Sequence, residues 1–105
     1  MANIVWTKEM VREKLEKSDY AVCQALVTLY RQQTASEQRY KEASQRNGVG
    51  FNKRDAKFCS SLAEQVLRNN REGRRYLLSY SQIQYARRII LKYSNQLAKL
   101  ANGEL

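Results

Sequence analysis

Histidine and proline are absent from this chain, and cysteine occurs only as Cys23 and Cys59. Without histidine there is no imidazole to act as a general base near neutral pH or to orient a serine or cysteine nucleophile. With two well-separated cysteines, a zinc site would have to rely on carboxylates, which structural zinc sites avoid. The composition argues against an enzyme, a metal centre or a bound cofactor. Cys23 and Cys59 each fall among apolar residues at helical spacing, where a thiol packs as a small hydrophobe. No apolar run approaches the roughly 18 residues that span a bilayer. The first residues, MANIVWTKEM, also lack the basic start and long apolar stretch of a secretory signal. We therefore expect an intracellular protein with no membrane partner.

The 105 residues, of which 43% are hydrophobic and 28% charged, suffice for one core and match ordinary globular usage. A single domain over residues 1–105 follows. The net charge of +9 is unevenly spread. Residues 1–45 carry seven basic and six acidic side chains, whereas residues 46–105 carry twelve and four. Nearly all the excess therefore sits in the second half, and a field of one sign over part of a surface concentrates polyanions. Nucleic acid or an acidic protein surface is the implied partner.

The lack of proline lets helices run long, and the glycines at 48, 50, 73 and 103 stand where the apolar periodicity stops. Thr7 is a cap with Trp6 and Val11 placed as a hydrophobic staple, which predicts a helix over 8–17. Ser18 and Asp19 restart the pattern, and Val22, Leu26, Leu29, Tyr30 and Gln33 share one face of a second helix over 19–42. The polar, glycine-bearing stretch 44–50 reads as a loop and hinge. Asn52, with Asp55 three residues on, opens a third helix over 53–67, whose Ala56, Cys59, Leu62, Ala63 and Val66 face the core. After a second loop, Ser79 and Gln82 form a capping box between Leu78 and Ile83. From there Ile83, Ala86, Ile90, Tyr93, Leu97 and Leu100 trace one unbroken seam over 80–101, closed by Asn102 and Gly103. The pattern predicts an all-α fold, a small four-helix bundle with a C-terminal antiparallel helical hairpin. The seam is compatible with a homodimer without requiring one.

Three sets of residues are candidates for binding. Arg68, Arg71, Arg74 and Arg75 fall within eight residues, a dense set of planar donors suited to phosphates. One or two cations at a helix end complement its dipole, but four exceed that need. Arg87, Arg88 and Lys92 lie off the apolar seam of the last helix, with Tyr80 and Tyr85 able to stack on bases or to pack at the bundle edge. Because that helix begins beside the arginine loop, the two sets are expected to form one basic end. Lys53, Arg54 and Lys57 open the third helix, where cations oppose the dipole and gain nothing locally. In an antiparallel hairpin this patch sits near the far end of the last helix, beside Lys99, which would carry the basic surface along the whole hairpin. The glycine-rich stretch before Phe51 lacks the lysine and hydroxyl residue of a Walker loop and reads as a connector.

The run Asn47-Gly48-Val49-Gly50-Phe51-Asn52, then Asp55-Ala56, Phe58 and Ser60-Ser61-Leu62-Ala63, resembles a module in small helical proteins of bacteriophages and mobile elements. Leu78-Ser79, Gln82, Ala86-Arg87, Lys92-Tyr93 and Gln96-Leu97 extend the likeness over about half of the chain. Most of these positions are caps and core, so the resemblance implies a fold and a setting, the cytoplasm of a bacterial host, and brings no catalytic residues. Two functions are expected from different classes. The first is a non-enzymatic module that binds nucleic acid through the arginine loop and last helix. The alternative is a phage-type inhibitor, anti-CRISPR or other anti-defence, that blocks the nucleic-acid channel of a host nuclease.

Overall fold

A computed structural model describes residues 5–40 and 51–103. It contains α1 (Lys8–Lys17), α2 (Asp19–Tyr40), α3 (Lys53–Arg71), α4 (Tyr80–Ile90), a 3-10 turn (Leu91–Tyr93) and α5 (Ser94–Ala101). The fold is all-α, a four-helix bundle whose fourth rod is bent at the 3-10 turn. The hinge loop at 44–50 and the extension of the second helix to residue 42 lie outside the described residues. Among the described residues no helix is long and apolar enough to cross a membrane.

The helix starts follow from short-range chemistry. The Thr7 hydroxyl accepts from the Met10 amide at 3.2 Å, and the Ser18 hydroxyl accepts from Ala21 at 3.1 Å. Asn52 Oδ1 accepts from the Asp55 amide at 2.9 Å. Ser79 and Gln82 complete a reciprocal box, each side chain bonded to the other's backbone amide. Each pairing satisfies a donor that the helix start would otherwise leave open.

Val22, Leu26 and Leu29 on α2, Cys59 and Ala63 on α3, and Ala86 and Ile90 on α4 are sealed from solvent. Together they place α2 at the centre, with α3 and α4 packed on it and α1 packed on α5. Cys23 and Cys59 are both buried and unpaired. Burial, with the charge of Asp55 behind it, pushes the Cys59 thiol up to about 12. Helices α3 and α4 run antiparallel, in a register marked by a paired Gln65 and Gln82 at one end and a paired Asp55 and Lys92 at the other.

Two boundaries differ from the periodicity. Helix α3 continues to Arg71, past the expected end at residue 67, because its stop signal is Gly73 and not the Asn69-Asn70 pair. Gly73 adopts a positive φ of 71°. The Arg74 amide then reaches the Asn69 carbonyl at 2.9 Å and the Gly73 amide reaches Asn70 at 3.1 Å, a Schellman closure. The Asn69 side chain donates to the Leu77 carbonyl at 2.8 Å and holds the loop instead of breaking the helix.

The predicted helix over 80–101 is interrupted at Leu91–Tyr93. The Leu91 carbonyl takes the Ser94 hydroxyl at 2.7 Å and the Arg12 guanidinium at 3.4 Å, partners from outside the regular ladder. Above the break α4 faces α2 and α3; below it α5 turns onto α1. Trp6 and the end of α5 meet there, since the Asn102 amide group donates to the Trp6 carbonyl at 2.9 Å and accepts from its N–H at 2.7 Å.

The bend is pinned by Tyr93. Its hydroxyl accepts from the Asn52 amide at 3.0 Å and donates to Asp55 at 2.7 Å, while Lys92 reaches the same carboxylate oxygen at 3.0 Å. Burial disfavours ionisation of Asp55, but the hydrogen bonds from Tyr93 and Lys92 and the charges of Lys92 and Arg54 outweigh it. The carboxyl is held below its ordinary value of 3.8. Removing the hydroxyl in Tyr93→Phe leaves the Asn52 amide and the buried carboxylate each short of a partner. We predict a loss of about 1–3 kcal/mol in denaturant unfolding at neutral pH. A carboxyl with a lowered folded pKa contributes stability that is present above the unfolded value and lost as pH falls through the folded one. The gap between parent and variant should therefore narrow as pH falls below about 4, keeping the part that the Asn52 amide contributes; an equal gap at pH 3 and pH 7 would contradict it.

Candidate functional site

The core seam of α3 leaves its opposite face to solvent, and that face repeats with equal regularity. Arg54, Lys57, Ser61, Glu64, Arg68 and Arg71 fall at alternating steps of three and four, and all are exposed. At 1.5 Å per residue the row extends about 25 Å. It joins the opening patch Lys53, Arg54, Lys57 to the arginine corner, with Glu64 as its one carboxylate. Like charges one turn apart repel; the helix dipole accounts for Arg68 and Arg71 in the last turn but not for Arg54 and Lys57 at the start.

Beside the row runs the outer groove between α3 and α4. Phe58 and Tyr85 meet across it edge to face, centroids 5.1 Å apart at 73°. They remain 41% and 57% exposed. Helical spacing places Arg54 one turn before Phe58 and Arg88 one turn after Tyr85. Because the helices are antiparallel, both arginines stand at the same end of the ring pair, the end where Lys92 covers Asp55. The exposed Ser61 and Ser81 stand at the other end.

The arginine corner is a second concentration of charge. Arg74 donates to Glu72 at 2.9 Å. That bond, together with the charges of Arg74, Arg68 and Arg71, holds the Glu72 carboxyl below its usual range. One exposed carboxylate is thus bonded by Arg74 and lies in the field of Arg68 and Arg71. Arg75 lies over the Tyr76 ring, 5.5 Å from its centroid. Behind this corner a cleft of about 490 Å³ is bordered by Asp19, Asn69, Arg74, Tyr76 and Tyr80.

The residues expected on the last helix divide between two flanks. Tyr85, Arg88 and Lys92 face the α3 side and join the opening patch, while Tyr80 faces the cleft beside Asp19. Arg87 points to the bundle: its Nε donates to the Leu15 carbonyl at 2.7 Å and its guanidinium pairs with Asp19. Its side chain is only 15% exposed. The single basic end expected from the arginine loop and the cations of the last helix does not form. Arg88 and Lys92 fall late on their rod, two turns beyond the loop, and Arg87 is taken up in fastening α4 to the junction of α1 and α2. The bend also carries Lys99 with α5 toward α1. Sequence reasoning missed Phe58 and the continuous row on α3. The signal for both was present, in an aromatic residue off the core seam and a polar series at helical spacing.

Compared with models of protein families, curated proteins and solved structures, the chain matches none. Cations paired with a carboxylate in the core or at a helix junction serve folding, and the exposed cations without such a pair have no evident part in it. Adjacent arginines of α4 test that division. Arg87→Ala leaves a buried carbonyl and a carboxylate without their donor and should cost about 1–3 kcal/mol in thermal or chemical unfolding. Arg88→Ala removes an exposed side chain with no such bonds and should stay within about 0.5 kcal/mol of the parent. Equal losses for the two would show that Arg88 is also structural.

Proposed function

We propose that the protein binds nucleic acid along the exposed face of α3 and the groove between α3 and α4, contacting phosphates and performing no chemistry of its own. The observation that carries this reading is the row of cations on α3 beside an exposed aromatic pair. Guanidinium groups grip phosphates with two donors at once, and aromatic rings accept base or sugar faces. An ordinary solvated helix face mixes signs, with opposite charges at i, i+4. Helix α3 instead exposes Lys53, Arg54, Lys57, Arg68 and Arg71 against Glu64.

Arg54, Lys57 and Arg88 are the principal contacts in this reading, and Arg68, Arg71, Arg74 and Arg75 extend them. Lys92 has a smaller share, since its ammonium group already serves Asp55. The likeness to phage and mobile-element proteins belongs to the same proposal, as the setting in which such a module would act.

Phosphate contacts release counterions, so affinity should fall steeply with salt. With about four to six phosphates neutralised, log K against log salt should have a slope of about −3 to −5. In a mobility-shift titration, the Arg54→Ala, Lys57→Ala, Arg88→Ala triple variant should lose about two to three units of that slope. The corner variant Arg71→Ala, Arg74→Ala, Arg75→Ala should lose a comparable amount if the surface is used along its length. Neither triple variant should melt below the parent, because none of these side chains enters the core and removing like charges relieves repulsion. Absence of any shift by the parent protein at micromolar concentration in about 50 mM salt would refute the reading.

A further inference from the structure

We infer that the strand held by this face is single-stranded, with a base stacked against the Phe58 and Tyr85 rings. The inference rests on the nucleic-acid reading above and deepens it.

Neither ring is placed by the needs of the core. Phe58 lies off the α3 seam of Ala56, Cys59, Leu62, Ala63 and Val66, and Tyr85 lies off the α4 seam of Ile83, Ala86 and Ile90. Each is nevertheless a large aromatic residue at the rim of the same groove, and their edge-to-face contact holds the two rings as one unit. The Ser61 and Ser81 side chains on one side are short, so the approach to the rings is open. Arg54 and Arg88 on the other side supply two guanidinium groups within a turn of the rings, where they can hold the phosphates flanking a stacked base.

The distinction between strand types follows from what each presents. In a duplex every base face is covered by its neighbours, and a helix surface meets only phosphates, sugars and groove edges. Cations suffice for that partner, and an exposed aromatic pair gains no base face from it. An unpaired base offers its π-face, which an aromatic ring receives whatever the base. The combination of an electropositive track with rings set into it therefore selects unpaired strands, with weak preference among sequences.

Fluorescence anisotropy with a labelled 12-nucleotide single strand, as DNA and as RNA, and with the matching duplex tests this at matched salt. Inorganic polyphosphate of the same charge serves as competitor. The parent should bind single strands about tenfold or more tightly than duplex and should release them poorly to polyphosphate. Tyr85→Ala should weaken single-strand binding about 5- to 100-fold, on the scale measured for one stacked base. It should leave the salt slope and the duplex affinity unchanged, since no charge is removed, and Tyr85→Phe should bind as the parent does. A melting curve checks that Tyr85→Ala, at an exposed position, folds. Equal affinity for single strand and duplex, or an unchanged single-strand affinity in folded Tyr85→Ala, overturns the inference while the nucleic-acid reading stands. Failure to bind any of the oligonucleotides overturns both.

Discussion

One hydroxyl group fixes the relation between the two halves of the hairpin. Tyr93 stands between the Asn52 amide and the Asp55 carboxylate at the cap of α3 and bonds to both. By entering that cap, Tyr93 ties the N-terminus of α3 to the bend after α4. Several consequences follow. The tie sets the antiparallel register that brings Gln65 to Gln82, and with it Phe58 to Tyr85. It holds the chain at the point where α5 leaves for α1. It also accounts for a buried carboxylate, because the Asp55 side chain gains two donors there, the tyrosine hydroxyl and Lys92, while its backbone amide makes the cap. Breaking one partner of such a network exposes the others to an uncompensated desolvation cost.

The same cluster resolves an electrostatic difficulty at the head of α3. Lys53, Arg54 and Lys57 crowd a helix end whose dipole is positive, a placement that costs stability. Asp55 offsets it from within, held ionised below its ordinary range by its donors and by the neighbouring charges. The cations themselves are left turned outward. Local folding chemistry is thus satisfied from the core side, and the solvent side keeps a charge pattern that the fold does not require.

How much of this the sequence revealed depends on the range of the interaction concerned. The four helix starts were legible because a cap and its partner lie within three or four residues, as with Ser79 and Gln82. The core was legible because apolar spacing is a one-dimensional signal. The end of α3 was misplaced for a local reason: Asn69 and Asn70 look like loop residues, yet the positive φ at Gly73 decides the stop. The break at Leu91–Tyr93 was not legible, since the seam passes through it without a missed step. Its causes, Arg12 and Asn52, lie far away in the chain. The division of Arg87 from Arg88 was hidden for the same reason. Both sit off the seam, and only the position of Asp19 and the Leu15 carbonyl shows that one of them is committed to the bundle. The α3 row and Phe58 were readable in principle, because each is a matter of spacing on one helix.

The distribution of carboxylates separates what folds this chain from what it offers to a partner. Among the described residues from α3 onward, Asp55 is turned inward under Lys92 and Glu72 is bound by Arg74, which leaves Glu64 as the exposed carboxylate without an ion pair. Arg54, Lys57 and Arg88 near one end of the row, and Arg68 and Arg71 at the other, consequently repel their near neighbours. That repulsion is a standing cost to the isolated protein, and a polyanion laid along the row removes it while adding contacts of its own. Under the proposed function, binding and folding would be coupled through the same charges, since anything that binds the native surface and not the unfolded chain stabilises the fold. Added salt acts on the two in opposite directions, screening the repulsion within α3 and the attraction to phosphate alike. Under the proposed function, that coupling is a physical reason for keeping Lys53, Arg54, Lys57, Arg68 and Arg71 on a helix whose core would pack without them.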